Sequence, residues 1–145
     1  MIPRVGEPVL ASRRYRLRPG AYAILRRGDN LLLTFQAAPE PELQLPGGGI
    51  DPGESPMRAL RREVREETGW SIDGLRRLGA YRRFRYMPEY DLWTEKLCHV
   101  FLARPALRHG PPTEPGHAAV WLPAHEALRL IPNPGERLFL RRFLG

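Results

Sequence analysis

Three glutamates lie close together in one charged segment of the chain: Glu63, Glu66 and Glu67. If residues 56–68 form a helix, a rotation of about 100° per residue places the three carboxylates on one arc of its surface. Carboxylates crowded in this way repel one another unless a positive charge lies among them. Hard divalent cations suit oxygen ligands and often bridge carboxylates to phosphates. The arc therefore indicates a metal site, although a solvated face with an Arg62–Glu66 ion pair is the simpler interpretation of the run alone.

The residues around the glutamates define the ends of the predicted helix. Ser55 is a favourable N-terminal cap, Pro56 suits the first helical position, and Gly69 suits a left-handed residue after the last turn. The helix should therefore span residues 56–68. The apolar stripe that should pack on a core consists of Met57, Leu60 and Val64. The opposite flank carries Arg58, Arg61, Arg62 and Arg65.

The spacing of residue types around this helix carries more information than the charged run. In chain order the positions are Gly48, five residues, Glu54, seven residues, Arg62-Glu63-Val64, one residue, Glu66-Glu67, one residue, Gly69 and the apolar Trp70. This pattern resembles the Nudix box at every position, and only Trp70 is larger than the aliphatic residue that is usual there. The spacing favours the metal-site interpretation over the solvated face.

The resemblance implies a hydrolase that cleaves a diphosphate bond in a nucleoside diphosphate linked to another group. Divalent cations would neutralise the charge on the phosphate oxygens and make the attacking water more acidic. The implied Mg²⁺ or Mn²⁺ ligands are Glu63, Glu66, Glu67 and the carbonyl of Gly47. The resemblance also implies an ion pair between Glu54 and Arg62. This pair would hold the loop before the helix in place and so orient the metal ligands.

Two carboxylates are candidates for the general base. Glu63 could activate the water directly, whereas other Nudix proteins use a carboxylate from a loop late in the fold. Residues 108–116, the late loop, contain one carboxylate, Glu114, and are followed by His117. We favour Glu63 as the base and keep Glu114 as the alternative. The remaining histidines have no metal-ligand spacing and receive no role.

The substrate is less well defined than the reaction. Tyr86, Tyr90 and Trp93 follow the box and could stack on a base, or they could fill a core or a dimer contact. A compact nucleotide, such as an ordinary or oxidised nucleoside triphosphate, is favoured over larger substrates. Two other functions stay open: a nucleotide-binding regulatory Nudix domain without turnover, and an RNA 5′-end pyrophosphohydrolase. The net charge of +7 is the only support for the RNA enzyme.

Length and composition indicate one soluble domain. The 145 residues are 42% hydrophobic and 27% charged, which is ordinary for a globular protein, and residues 1–19 are expected to form an extended arm or edge strand. The basic residues are scattered, which disfavours a dedicated nucleic-acid surface. No apolar run is long enough for a membrane span or a secretory signal, and there is a single cysteine, Cys98. Cytoplasmic residence, as a monomer or homodimer, is therefore expected.

The order of predicted elements indicates an α+β fold with a mixed sheet between helices. Strands are predicted at residues 21–27, 31–36, 43–45, 78–86, 93–104 and 118–122. Helices are predicted at residues 56–68, 124–130 and 136–143. This order agrees with the fold that the resemblance implies, a Nudix-type α/β/α sandwich with a loop–helix–loop catalytic motif.

Overall fold

A computed structural model describes residues 1–144 of the chain. The strands are β1 Arg4–Val5, β2 Arg16–Arg27, β3 Asn30–Gln36, β4 Glu42–Gln44, β5 Gly47–Gly49, β6 Trp70–Met87, β7 Leu92–Arg108 and β8 His117–Pro123. The helices are α1 Pro56–Thr68, α2 Ala124–Leu130 and α3 Pro134–Leu144, with a 3₁₀ turn at Pro88–Tyr90. None of the helices in this part of the chain is long and apolar enough to cross a membrane.

The sheet is mixed, as the sequence predicts, and strand β2 lies at its centre. One edge of β2 runs parallel to β7, from the pair Arg16 and Thr94 to the pair Leu25 and Ala103. The other edge is shared by two antiparallel partners, β3 and the glycine strand β5. Beyond β7 lie β6 and then β1, whereas β3 also pairs with β4 and β8. The sheet therefore brings β5 next to β2, where α1 crosses it.

Two apolar clusters occupy the two faces of the sheet, which makes the molecule an α/β/α sandwich. Side chains alternate along β2, so that Ala23 and Leu25 face α1, whereas Ile24 faces α2 and α3. The cluster under α1 contains Ala21, Ala23, Leu25, Leu32, Leu60, Val64, Ile72, Phe101 and Ala103. The cluster under α2 and α3 includes Ile24, Leu31, Leu33, Tyr81, Cys98, Val100, Phe139 and Leu140. The predicted sandwich and the buried position of Cys98 are confirmed.

Helix α1 begins and ends where the sequence predicts. The Ser55 hydroxyl accepts a hydrogen bond from the amide of Arg58, and Gly69 adopts a φ of 81° after the last turn. The predicted apolar stripe is correct at Leu60 and Val64 but wrong at Met57, which is 45% exposed. Met57 lies in the first turn, and Ala59 is the buried residue at this end of the helix.

The other differences concern the lengths of elements. Strand β6 begins at Trp70, directly after α1, whereas the alternation of residue types predicted a start at residue 78. Register shifts between Trp70 and Gly79 interrupt the alternation, which is why the pattern did not reveal this half of the strand. The expected arm at residues 1–19 contains β1, which pairs parallel to β6, and the beginning of β2.

Candidate active site

The glutamates of α1 lie against the glycine strand β5, and side chains on that strand would displace them. A Cβ atom at Gly48 would lie 2.6 Å from the carboxyl carbon of Glu63. A Cβ atom at Gly47, where φ is 147°, would lie 2.1 Å from the carbonyl oxygen of Ala21. Two successive glycines therefore allow β5 to fit between β2 and the carboxylates of α1.

Glu67 is the most buried of the three glutamates, with 6% of its surface exposed. Its Oε1 atom accepts a hydrogen bond of 2.9 Å from the Gly47 amide, and its Oε2 atom lies 3.7 Å from Nδ1 of His117. The pKa of Glu67 is raised to about 9, chiefly by burial and in part by the negative charges of Glu63 and Glu114, against the lowering effect of the Gly47 amide. At neutral pH this carboxyl group therefore requires a proton or a cation.

Arg62 joins the loop before α1 to the carboxylates. Its Nε and Nη2 atoms donate to the two oxygens of Glu54 at 2.8 Å and 2.9 Å. Its Nη1 atom lies 3.0 Å from Oε1 of Glu63 and 3.5 Å from Oε2 of Glu66. The hydrogen bonds from Arg62 lower the pKa of Glu54 to about 2. The structure thus contains the ion pair that the box spacing implies, in a bidentate form.

The donor set of the site fits a hard divalent cation. Glu63, Glu66 and Glu67 offer only oxygen atoms, and burial raises the pKa of Glu63 above its usual value. In the conformation described for residues 1–144, no three acidic, histidine or cysteine side chains converge on a point suited to an ion. Arg62 supplies the positive charge between Glu63 and Glu66 in this conformation. One oxygen of each of these two carboxylates is left outside the contact with Arg62.

The late loop is fastened to the C-terminal end of α1. The amides of Thr113 and Glu114 both donate to the carbonyl oxygen of Glu66, at 2.8 Å and 2.9 Å. The amide of His109 donates to the carbonyl oxygen of Gly69 at 2.8 Å. The charge of Glu114 contributes to the raised pKa values of Glu63 and Glu67. The structure therefore brings Glu114 to the carboxylates of α1, as the alternative assignment of the base requires.

A cavity of about 410 Å³ adjoins Glu63 and Glu67. Other residues in its lining include Tyr22, Gln44, Tyr81, Arg85, Lys96, Asn133 and Glu136. Arg85 and Lys96 place positive charge on a wall that also carries the carboxylates of Glu40, Glu42, Glu89 and Glu136. The cavity therefore offers an enclosed space for a small ligand directly beside the carboxylates of α1.

The three aromatic residues predicted to bind substrate lie outside the lining of this cavity. Trp93 packs against Tyr15, with ring centroids 6.0 Å apart, and the guanidinium of Arg13 lies 4.8 Å from its ring. Tyr86 packs against Trp93 and donates a hydrogen bond to Asp91. The guanidinium of Arg18 lies over the ring of Tyr90. Base stacking by Tyr86, Tyr90 and Trp93 stays a prediction that this geometry does not support.

Two polar residues near the site were not identified from the sequence. Glu136 is 3% exposed and accepts a hydrogen bond of 2.8 Å from the Leu45 amide, and burial raises its pKa to about 8. The sequence does contain a signal for its burial. Glu136 precedes the apolar Phe139 by three residues and Leu140 by four, a spacing that places all three on the same, buried side of α3. His117 contacts Thr34 at 2.8 Å, in addition to Glu67. The sequence around His117 contains no comparable signal for a position beside Glu67.

The comparison with protein families agrees with the geometry of the site. Residues 16–143 match the model of the family described as NUDIX domain. The chain belongs to the NUDIX domain family. Proteins of this family are hydrolases that generally use a divalent metal and act on nucleotide substrates. The MutT-like resemblance of the box and the α+β fold are both confirmed.

The relatives of this NUDIX chain are named after different activities. A Bacillus subtilis (strain 168) protein provisionally named 8-oxo-dGTP diphosphatase is 35% identical over 74 residues, or 51% of this chain and 50% of the relative. An RNA pyrophosphohydrolase of Halorhodospira halophila (strain DSM 244 / SL1) is 39% identical over 67 residues, or 46% of this chain and 37% of the relative. The chain thus spans half or less of the length of these relatives.

A solved structure supports the fold over a longer range. The NUDIX hydrolase from Nitrosomonas europaea superposes with a TM-score of 0.73 and covers 89% of both chains at 23% sequence identity. At this identity the similarity establishes the fold and not the substrate.

Proposed function

We propose that this chain is a divalent-metal-dependent hydrolase that cleaves a diphosphate bond in a nucleoside di- or triphosphate derivative. The observation that carries the proposal is the cluster of Glu63, Glu66 and Glu67 beside a cavity of about 410 Å³. Every charged position of the box is occupied. A binding domain without turnover is therefore the weaker interpretation.

The residues divide into three roles in this proposal. Glu63, Glu66, Glu67 and the carbonyl of Gly47 would hold Mg²⁺ or Mn²⁺, which would supply positive charge to the diphosphate and acidify the attacking water. Glu63 is the general base that accepts the proton of the water, and Glu114 is the alternative base. Glu54 acts through Arg62, which fixes the position of α1 relative to the loop.

A compact nucleotide is the substrate class that we propose. The cavity of about 410 Å³ is large enough for one nucleoside. The name of the Bacillus subtilis relative supports an oxidised or ordinary nucleoside triphosphate. An RNA 5′-end pyrophosphohydrolase is the second candidate, because a relative of that name is 39% identical over its matched segment.

A turnover screen with product analysis tests the proposal. The panel should contain nucleoside di- and triphosphates, 8-oxo-dGTP, a dinucleoside polyphosphate and a 5′-triphosphorylated oligoribonucleotide, each with Mg²⁺ and with Mn²⁺. We expect cleavage of a diphosphate bond, with a nucleoside monophosphate among the products of the best substrate. Faster turnover of the oligoribonucleotide would favour the second candidate. No cleavage of any diphosphate bond under these conditions would contradict the proposal.

Glu54→Gln should reduce activity less than Glu63→Gln, because Glu54 holds Arg62 and is not among the proposed metal ligands. The substitution keeps the shape of the side chain and removes the charge that pairs with Arg62. We expect a loss in kcat/KM of about tenfold, at the low end of the 10- to 100-fold that positioning partners of metal ligands typically contribute. The kinetics of both variants at saturating Mg²⁺ measure this difference. A Glu54 variant as inactive as the Glu63 variant would show that Glu54 has a more direct role.

A further inference from the structure

A groove of about 660 Å³ lies along α1 on the side away from the sheet. The helix forms one wall and residues 109–113 of the late loop form the other. Its basic side chains are Arg61, Arg65 and His109, and we call it the Arg61–Arg65 groove. Arg62 and Glu66 also line it, although they belong to the carboxylate cluster. The groove therefore adjoins the proposed metal site through Arg62 and Glu66.

The groove is held in shape by backbone contacts. Three amide hydrogen bonds join the loop to the end of α1, through the carbonyls of Glu66 and Gly69. At Gly69 the loop approaches so closely that a Cβ atom would lie 1.9 Å from the carbonyl oxygen of Gly110. The Nη1 atom of Arg61 donates to the carbonyl of Ile72 at 2.7 Å, which fixes its guanidinium. A ligand would thus meet a wall that is already ordered.

The guanidinium groups of the groove are not neutralised by nearby acids. Across residues 1–144, neither Arg61 nor Arg65 forms an ion pair with a carboxylate. Arg62, in contrast, is paired with Glu54, Glu63 and Glu66. Two guanidiniums without a carboxylate partner in one groove suit an anion with several oxygens, because the planar fork can donate two hydrogen bonds to phosphate.

We propose that the Arg61–Arg65 groove binds the phosphates of the substrate beyond the scissile bond, an inference that rests on the proposed function. Glu63 and Glu67 face the cavity, whereas Glu66 and Arg62 face the groove. In this proposal a diphosphate held at these carboxylates extends in two directions. Its nucleoside enters the cavity, and the phosphates that leave with the other product lie between Arg61, Arg65 and His109.

The test uses Arg65→Ala, with Arg58→Ala as a matched control. Both arginines are exposed on α1 and each substitution removes one positive charge, but Arg58 does not line the groove. The probe is inorganic tripolyphosphate, whose Kd is measured calorimetrically in Mg²⁺ buffer. We expect Arg65→Ala to weaken binding at least about tenfold and Arg58→Ala by less than about twofold. Arg65→Lys keeps the charge but not the planar fork, and should weaken binding by an amount between those of the two alanine variants.

Kinetics provide the second measurement. Arg65→Ala should lower kcat/KM for a nucleoside triphosphate more than for the corresponding diphosphate, because only the triphosphate reaches the groove fully. Equal weakening of tripolyphosphate binding by Arg65→Ala and Arg58→Ala would overturn the inference, since it would reflect net charge alone. If tripolyphosphate binding depends on Arg65 but the wild-type protein turns over no nucleotide, the proposed function is contradicted, whereas phosphate binding in the groove is supported.

Discussion

Glu67→Gln should lower kcat for nucleotide hydrolysis at least about a hundredfold while the protein stays folded, because a misplaced cation forfeits several kcal/mol of transition-state stabilisation. Glutamine keeps the volume of the side chain, and its amide oxygen can still accept the hydrogen bond from Gly47. It cannot supply the negative charge that the proposed metal site needs. Steady-state kinetics at saturating Mg²⁺ measure the loss, and equal rates for wild type and variant would refute the role of Glu67.

The same substitution should stabilise the metal-free protein. The pKa of Glu67 is about 9 in the folded state against an ordinary value of 4.5, so the native state binds the extra proton between these values. The free energy of unfolding therefore falls as pH rises through this window. Glutamine does not ionise, and we expect a gain of roughly 3 kcal/mol at pH 7 from denaturant unfolding in EDTA. A metal-free variant less stable than wild type would contradict this account of the buried carboxyl group.

Glu63→Gln should also reduce kcat at least about a hundredfold, since it removes a metal ligand and the proposed base together. Glu114→Gln should remain within about twofold of wild type if Glu63 activates the water. Glu63 is held by Nη1 of Arg62 and is half-buried, whereas the side chain of Glu114 is exposed and its residue is anchored through the backbone. Glu126→Gln on α2, outside the lining of the cavity, is the matched control for loss of a surface carboxylate.

The opposite result would identify Glu114 as the base. Its signature is a fall in kcat of more than about a hundredfold for Glu114→Gln with an unchanged KM, as for an interaction made in the transition state. Unchanged folding and Mg²⁺ affinity of the variant complete the distinction.

Local signals in the sequence were sufficient for α1 and its carboxylates. Ser55, Pro56 and Gly69 fix the ends of the helix through cap chemistry, which acts within a few residues and depends little on the rest of the fold. The bidentate pair of Glu54 and Arg62 follows from the spacing of the box. These features are short-range in sequence, and a single chain is enough to read them.

Features that depend on distant segments could not be predicted in this way. Met57 occupies an apolar position on the helical wheel, but no other element covers the first turn of α1 on that side. The first half of β6 was missed because bulges break the alternation that marks a strand. The contact of His117 with Glu67 and Thr34 depends on the pairing of β8 with β3, which no local pattern encodes.

The most direct test of the central claim is the turnover of the best nucleotide substrate by the wild-type enzyme and Glu67→Gln, each with saturating Mg²⁺ and with excess EDTA. We predict that diphosphate cleavage occurs only in the wild-type enzyme with Mg²⁺ and that added Mg²⁺ restores it after chelation. Turnover that persists in EDTA, or a Glu67→Gln variant as active as wild type, would contradict metal-dependent hydrolysis at this carboxylate cluster.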